Sequence, residues 1–117
     1  MSVDEAIHDL LNFSTDIRSV AVIDAAGEVL VAAPSAAAAA LGSAATGLWG
    51  AAEACAAESG RSPLDYVVVQ DSEYCVAMVR ESARCIVALT GPKPAVGLLL
   101  FDLRTCLTDA YPQEDAR

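Results

Sequence analysis

The chain has 117 residues and a formal net charge of −9 at pH 7. That length suits one domain with a hydrophobic core that needs no disulfide or metal to hold it. The negative charge argues against a nucleic-acid footprint or a polybasic membrane patch, so neither partner is expected.

The first element is a helix. Val3, Ala6, Ile7, Leu10 and Leu11 form a stripe at helical spacing, with Asp4, Glu5, His8, Asp9 and Asn12 largely on the other side. Acidic residues this early do not fit a charged-then-apolar leader, so no signal peptide is expected and a soluble cytoplasmic protein is the default. Ile17–Asp24 is rich in branched residues on both of its faces, which describes a central strand. Asp24, Ala25, Ala26 and Gly27 make a tight turn, and residues 28–33 form a second strand. It must run antiparallel, because so short a connection cannot cross over.

Residues 35–60 read as one long helix, with Ser35 after Pro34 as N-cap and Ser59-Gly60 as the stop. At 3.6 residues per turn, Leu41, Ala45, Leu48, Ala52 and Cys55 form an apolar stripe suited to lying on a sheet. On the opposite side Ala39, Ser43, Thr46, Gly50, Ala54 and Ala57 recur at helical spacing without a charge or a long side chain. A helix facing water normally shows it a charged face, and this one offers only Glu53 and Glu58. Two buried faces follow, and in a small domain the simplest cover for the second is the same helix of another copy. Hiding a few hundred Å² of apolar surface gives a gross gain on the order of 10 kcal/mol per copy, before association costs. Residues 35–52 are uncharged, but alanine, glycine and hydroxyl side chains make them too weakly hydrophobic for a membrane span.

Three strands are expected at 64–70, 74–80 and 84–90, joined by connections short enough to require hairpins. A final helix starts near Ala95 and turns Val96, Leu99, Leu100, Leu103 and Leu107 inward. Tyr111-Pro112 ends it, leaving a single domain over 1–112 and a polar tail at 113–117. The order is helix, two strands, helix, three strands, helix. An α+β, three-layer α/β/α fold satisfies every apolar face: a five-stranded antiparallel sheet, the long helix on one side and the terminal helices on the other.

This pattern resembles the Roadblock/LC7 family from about Val3 to Leu107. The resemblance is carried by Val20-Ala21-Val22-Ile23-Asp24 with Gly27 in its turn, the alanine-rich helix ending at Ser59-Gly60-Arg61, Leu64-Asp65-Tyr66-Val67-Val68-Val69, and Val96-Gly97-Leu98-Leu99. It implies a roadblock/profilin-like fold and a homodimer in which the long helices pack together and the strands beginning near Leu64 pair across a two-fold axis. Tyr66 and Val68 join the helix stripe as expected dimer-interface residues, and Trp49 and Glu53 are the expected partner-binding residues. The implied partner is a Ras-like small GTPase, held or regulated in bacterial signalling by a scaffold related to dynein light chain roadblock. Two departures from the family pattern concern partner choice more than fold: the turn at Asp24 lacks an Asp-Gly pair, and Arg80-Glu81-Ser82-Ala83-Arg84 is more charged than a short glycine-containing turn.

No catalytic residue, cofactor or metal site is expected. Cys55, Cys75, Cys85 and Cys106 lack C-x-x-C spacing and read as buried free thiols. With the hairpin turning at 81–83, Cys75 falls opposite Leu89 or Thr90, and Cys85 opposite Val79 or Arg80. His8 has no nucleophile in a familiar motif beside it, and Gly91-Pro92-Lys93 lacks the rest of a phosphate loop, so the chain is not itself a GTPase. Trp49 reads either as core packing or as an interface anchor. A small sensory domain binding a ligand between sheet and helix, with the cysteines as redox reporters, and a subunit of a heterodimeric scaffold are the alternatives.

Overall fold

A computed structural model describes residues 2–14 and 16–112; the tail expected at 113–117 lies outside the described residues. The elements follow as α1 (Val3–Phe13), β1 (Ile17–Asp24), β2 (Val29–Ala33), a short 3-10 turn (Ser35–Ala37), α2 (Ala38–Glu58), β3 (Tyr66–Gln70), β4 (Cys75–Glu81), β5 (Arg84–Thr90) and α3 (Val96–Ala110). The strands make one sheet in the order β2-β1-β5-β4-β3, antiparallel throughout.

Side-chain alternation along the central strands decides the layers. Val20, Val22, Ala77, Val79, Ile86 and Ala88 point to one side, where Ile7 and Leu10 of α1 and Leu99, Leu103 and Leu107 of α3 cover them. Ala21, Ile23, Met78 and Val87 point to the other, against Leu41, Ala45 and Trp49 of α2. A sheet apolar on both faces is thus clothed on both, as the composition of β1 and β5 requires.

The turns rest on carboxylates. Asp24 Oδ1 accepts from the backbone N–H of Ala26 and of Glu28, both at 2.9 Å, and Gly27 takes φ +88°, which a side-chain-bearing residue adopts at a cost. That pair of features does the work of the absent Asp-Gly. Asp71 Oδ1 accepts from the N–H of Glu73 and Tyr74 at 2.7 and 2.8 Å, and these bonds lower its carboxyl pKa. A lowered folded-state value means that this contribution is present above the ordinary aspartate range and is lost as pH falls through the folded value. Between β4 and β5, Glu81 stands opposite Arg84, and Ser82 takes φ +55° in the two-residue turn. The predicted register holds, with Cys75 opposite Thr90 and Cys85 opposite Arg80.

The start of α2 differs from expectation. Ser35 does not cap it: the chain passes through the 3-10 turn, α2 begins at Ala38, and no side chain caps it. An unbroken alanine run carries no polar group to fix the first turn, so backbone bonds such as Ala37 N–H to the Pro34 carbonyl take that place. The stop is as predicted. Gly60 at φ +69° lets the Arg61 N–H reach the Ala56 carbonyl at 2.8 Å and its own N–H reach that of Ala57 at 3.1 Å, a Schellman closure. Gly60→Ala should cost about 1 kcal/mol through the left-handed backbone alone, seen as a lower urea midpoint at unchanged slope.

Candidate interaction surface

The outer side of α2 is where the sequence placed the dimer interface. Ala39, Ser43, Thr46, Gly50, Ala54 and Ala57 lie there, and the structure leaves this side of the helix open, with Thr46 and Gly50 exposed in the single chain. Gly47 and Gly50 sharpen the point. A Cβ built on either meets nothing within 4 Å, although glycine inside a helix is about 1 kcal/mol less favourable than alanine. Nothing among the described residues needs these positions to be small, so the need for smallness is sought outside them.

Beside this face the sheet ends at β3, which bonds to β4 on one side only. Its residues Tyr66–Gln70 carry no charge, which leaves the edge poorly protected against pairing. Tyr66 and Val69 are about half exposed, whereas Val68 is half-buried and packs against the α1–α3 core. What β3 offers outward near Val68 is therefore backbone.

The inner side of α2 turns further than the predicted stripe. Leu41, Ala45 and Trp49 are buried, Leu48 and Ala52 are half-buried, and Cys55 is exposed. Trp49, the bulkiest residue of the helix, rotates the buried stripe toward itself, and this leaves Cys55 at the margin. Trp49 is 5% exposed and belongs to the core facing α2. The Arg80 guanidinium lies 4.6 Å from the ring centroid, and the indole Nε1 is buried without a hydrogen-bond partner among the described residues. The sequence marks Arg80 only as part of a charged turn and not as a neighbour of Trp49, yet a signal for that contact existed. It shares the face of β4 that carries Val76 and Met78, so strand alternation aims it at α2.

Trp49 and Arg80 form part of a cleft of about 380 Å³ where the β1–β2 and β4–β5 turns meet α2, with Thr46, Gly50 and Arg84 also on its walls. The cleft opens beside the exposed small-residue face, since Thr46 and Gly50 belong to both. Glu53 sits elsewhere. Its carboxylate accepts from the Leu64 N–H at 2.7 Å and from the Ser62 hydroxyl at 3.4 Å, tying α2 to the chain that leads into β3. Glu53→Gln keeps the shape but loses charge assistance, so it should lower unfolding stability by about 1 kcal/mol.

The cysteines divide in a way that corrects the reading of four buried thiols. Cys75 and Cys106 are buried, Cys85 is half-buried and Cys55 is exposed. Burial pushes the Cys85 thiol up to about 11 against the opposing pull of Arg80. Cys106 is pushed up to about 12 by burial and then by Asp109 and Asp9. Thiolate is the reactive form, so a thiol reagent at pH 8 should modify one cysteine rapidly, and Cys55→Ser should abolish that fast phase. His8 is exposed on α1. No helix among the described residues is long and apolar enough to cross a membrane.

No family model matches the chain, and no curated protein matches it in sequence. Its architecture does have close counterparts among solved structures. A Roadblock/LC7 domain from Streptomyces avermitilis superposes with a TM-score of 0.84 at 15% identity, over 97% of this chain and 98% of that one. The gliding protein MglB from Thermus thermophilus gives 0.79 at 15% identity, over 98% and 90%. An MglB with a tetrameric arrangement gives 0.73 at 15% identity, over 97% and 88%. The fold is therefore the Roadblock/LC7 fold. It is the fold that MglB also has, and it spans nearly the whole chain.

Proposed function

We propose that the protein is a non-enzymatic, homodimeric cytoplasmic scaffold that binds and regulates a Ras-like small GTPase in bacterial signalling. The observation that carries the pairing is the open, uncharged face of α2, with two glycines that no described neighbour requires. The Roadblock/LC7 fold and the tetrameric arrangement of one MglB neighbour support assembly through such surfaces, and the resemblance to the Roadblock/LC7 family supplies the class of partner. Small side chains allow two α2 helices to approach closely, and the bare β3 edges extend the sheet from one copy to the next. The homodimer is favoured over a heterodimer because the face of α2 is uncharged and therefore compatible with itself.

Such a scaffold needs no catalytic group. A partner held more tightly in its GTP-competent arrangement than in others is shifted toward it by the difference, and one or two kcal/mol changes occupancy or rate about five- to thirtyfold. Burial holds Cys85 and Cys106 in the thiol form, so those two would be poor redox reporters in the alternative sensory domain.

The pairing surface has a clean test because space above Gly50 is open in the single chain. Gly50→Glu should leave the fold intact by circular dichroism yet weaken self-association at least about tenfold by light scattering, equal to about 1.4 kcal/mol. Trp49→Ala is a poor substitute, since removing a buried tryptophan costs about 3–5 kcal/mol of stability wherever the interface lies. A monomeric mass for the unaltered chain at micromolar concentration would overturn the dimer. For the partner, the purified protein is used to retain proteins from its own cell extract with GTP or GDP added. A small GTPase retained in a nucleotide-dependent way is the expected outcome, and its absence under both nucleotides would remove the regulator reading.

A further inference from the structure

The proposed pairing of α2 and β3 leaves an apolar feature unused on the opposite side of the sheet. Both phenylalanines of the chain are exposed, Phe13 at 84% and Phe101 at 63%, and Leu98 is exposed at 62%. Single exposed apolar residues are ordinary, but neighbouring ones call for a cover. The Ser14 hydroxyl donates to Asp102 Oδ2 at 3.1 Å, which brings the end of α1, with Phe13, to Asp102 on α3, the residue after Phe101. Leu98 precedes Phe101 by three residues and shares its side of α3.

From this apolar end a groove of about 180 Å³ runs between α1 and α3. Ala6, Leu10 and Cys106 line its floor, and Asp9, Asp102 and Asp109 stand along it without a lysine or arginine among the lining residues. Two of these carboxylates, Asp109 and Asp9, act on the Cys106 thiol from opposite helices, so their field converges on the floor. The groove therefore combines an aromatic end, an apolar bed and an acidic margin.

We propose that this groove docks a cationic amphipathic helix from another protein, its apolar stripe over Phe13, Phe101 and the groove floor and its basic residues against Asp9, Asp102 and Asp109. A ridge of side chains on a third helix fits the furrow between two others. Charge selects among occupants. A second copy would bring its own acidic margin against this one, and an anionic membrane surface would be repelled for the same reason. A basic partner gains both the apolar contact and the complementary field.

The probe is a labelled synthetic helix of about 18 residues, or about five turns, with leucine on one face and lysine on the rest; a glutamate-for-lysine version serves as control. Binding is read by fluorescence anisotropy on the full chain and mapped by amide chemical shifts. The lysine peptide should bind with perturbations on α1 and α3, and weaken about tenfold as salt rises from low to high ionic strength. Phe13→Ser with Phe101→Ser should weaken it at least about tenfold, and both sites are exposed, so circular dichroism should show the fold retained. Asp9→Asn with Asp109→Asn should weaken binding and flatten its salt dependence. Glu28→Gln with Glu73→Gln removes the same charge from distant turns and should change little. Equal binding of the acidic peptide, equal loss in the distant charge variant, or shift changes confined to α2 would overturn the proposal. So would self-association abolished by the double phenylalanine variant, which would make the groove a contact between copies.

Discussion

The constraint on which this structure depends is a central strand set that is apolar on both sides. Val20 and Val22 face one way and Ala21 and Ile23 the other, all of them buried, and β4 and β5 repeat the arrangement. Such a sheet is stable in water only if both faces are covered. The two coverings are unequal. α1 and α3 share one face, whereas α2 alone serves the other. On that second side Val67, Val76 and Leu89 stay half-buried around its margins. A helix of 21 residues, about 32 Å long at the usual rise, crosses the sheet but cannot blanket five strands. The side that one helix covers therefore keeps apolar sheet surface at its margins.

The distribution of charge points the same way. Copies of a chain with net charge −9 repel one another wherever their carboxylates meet. The outer face of α2 from Ala39 to Ala52 has no ionisable side chain, and the β3 edge has no charged residue between Asp65 and Asp71. With screening over roughly 8 Å at physiological salt, these are the surfaces on which two copies can approach without crowding like charges together. Assembly is permitted by an absence of charge there, while the remaining acidic surface keeps other contacts between copies unfavourable.

The strands were legible because alternation and branching are local signals. β1 and β5 were bounded correctly at both ends, and the turn at 81–83 was enough to place Cys75 near Thr90 and Cys85 near Arg80. The beginning of α2 was not legible, since alanine fits a 3-10 turn and an α-helix alike and Ser35 suggested a cap that the backbone does not use. The rotation of α2 was missed for a different reason. Periodicity assigns a helix face by counting apolar residues, and in a helix this rich in alanine nearly every face qualifies. Trp49, through its volume and its contact with Arg80 of the sheet, decides which face is inner. Glu53 was legible as one of the few charges on the helix but not as a tether to Leu64, because that bond joins elements whose approach follows from the tertiary fold.

A scaffold gains from having its surfaces on opposite sides of a stiff layer. The α2 face and the α1–α3 groove are separated by a hydrogen-bonded sheet whose central residues Met78, Ile86, Val87 and Val20 are fully buried. Packing of that density transmits little without a second discrete arrangement of the core. If both surfaces take the partners proposed for them, occupying one leaves the affinity of the other nearly unchanged, and the two can be held together without competing. Linking them through one rigid body raises the concentration of each around the other, and that effect needs no new contact and no allosteric switch. In the proposed scaffold, regulation would come from which partners are brought together, and that task would ask for no chemistry from the chain itself.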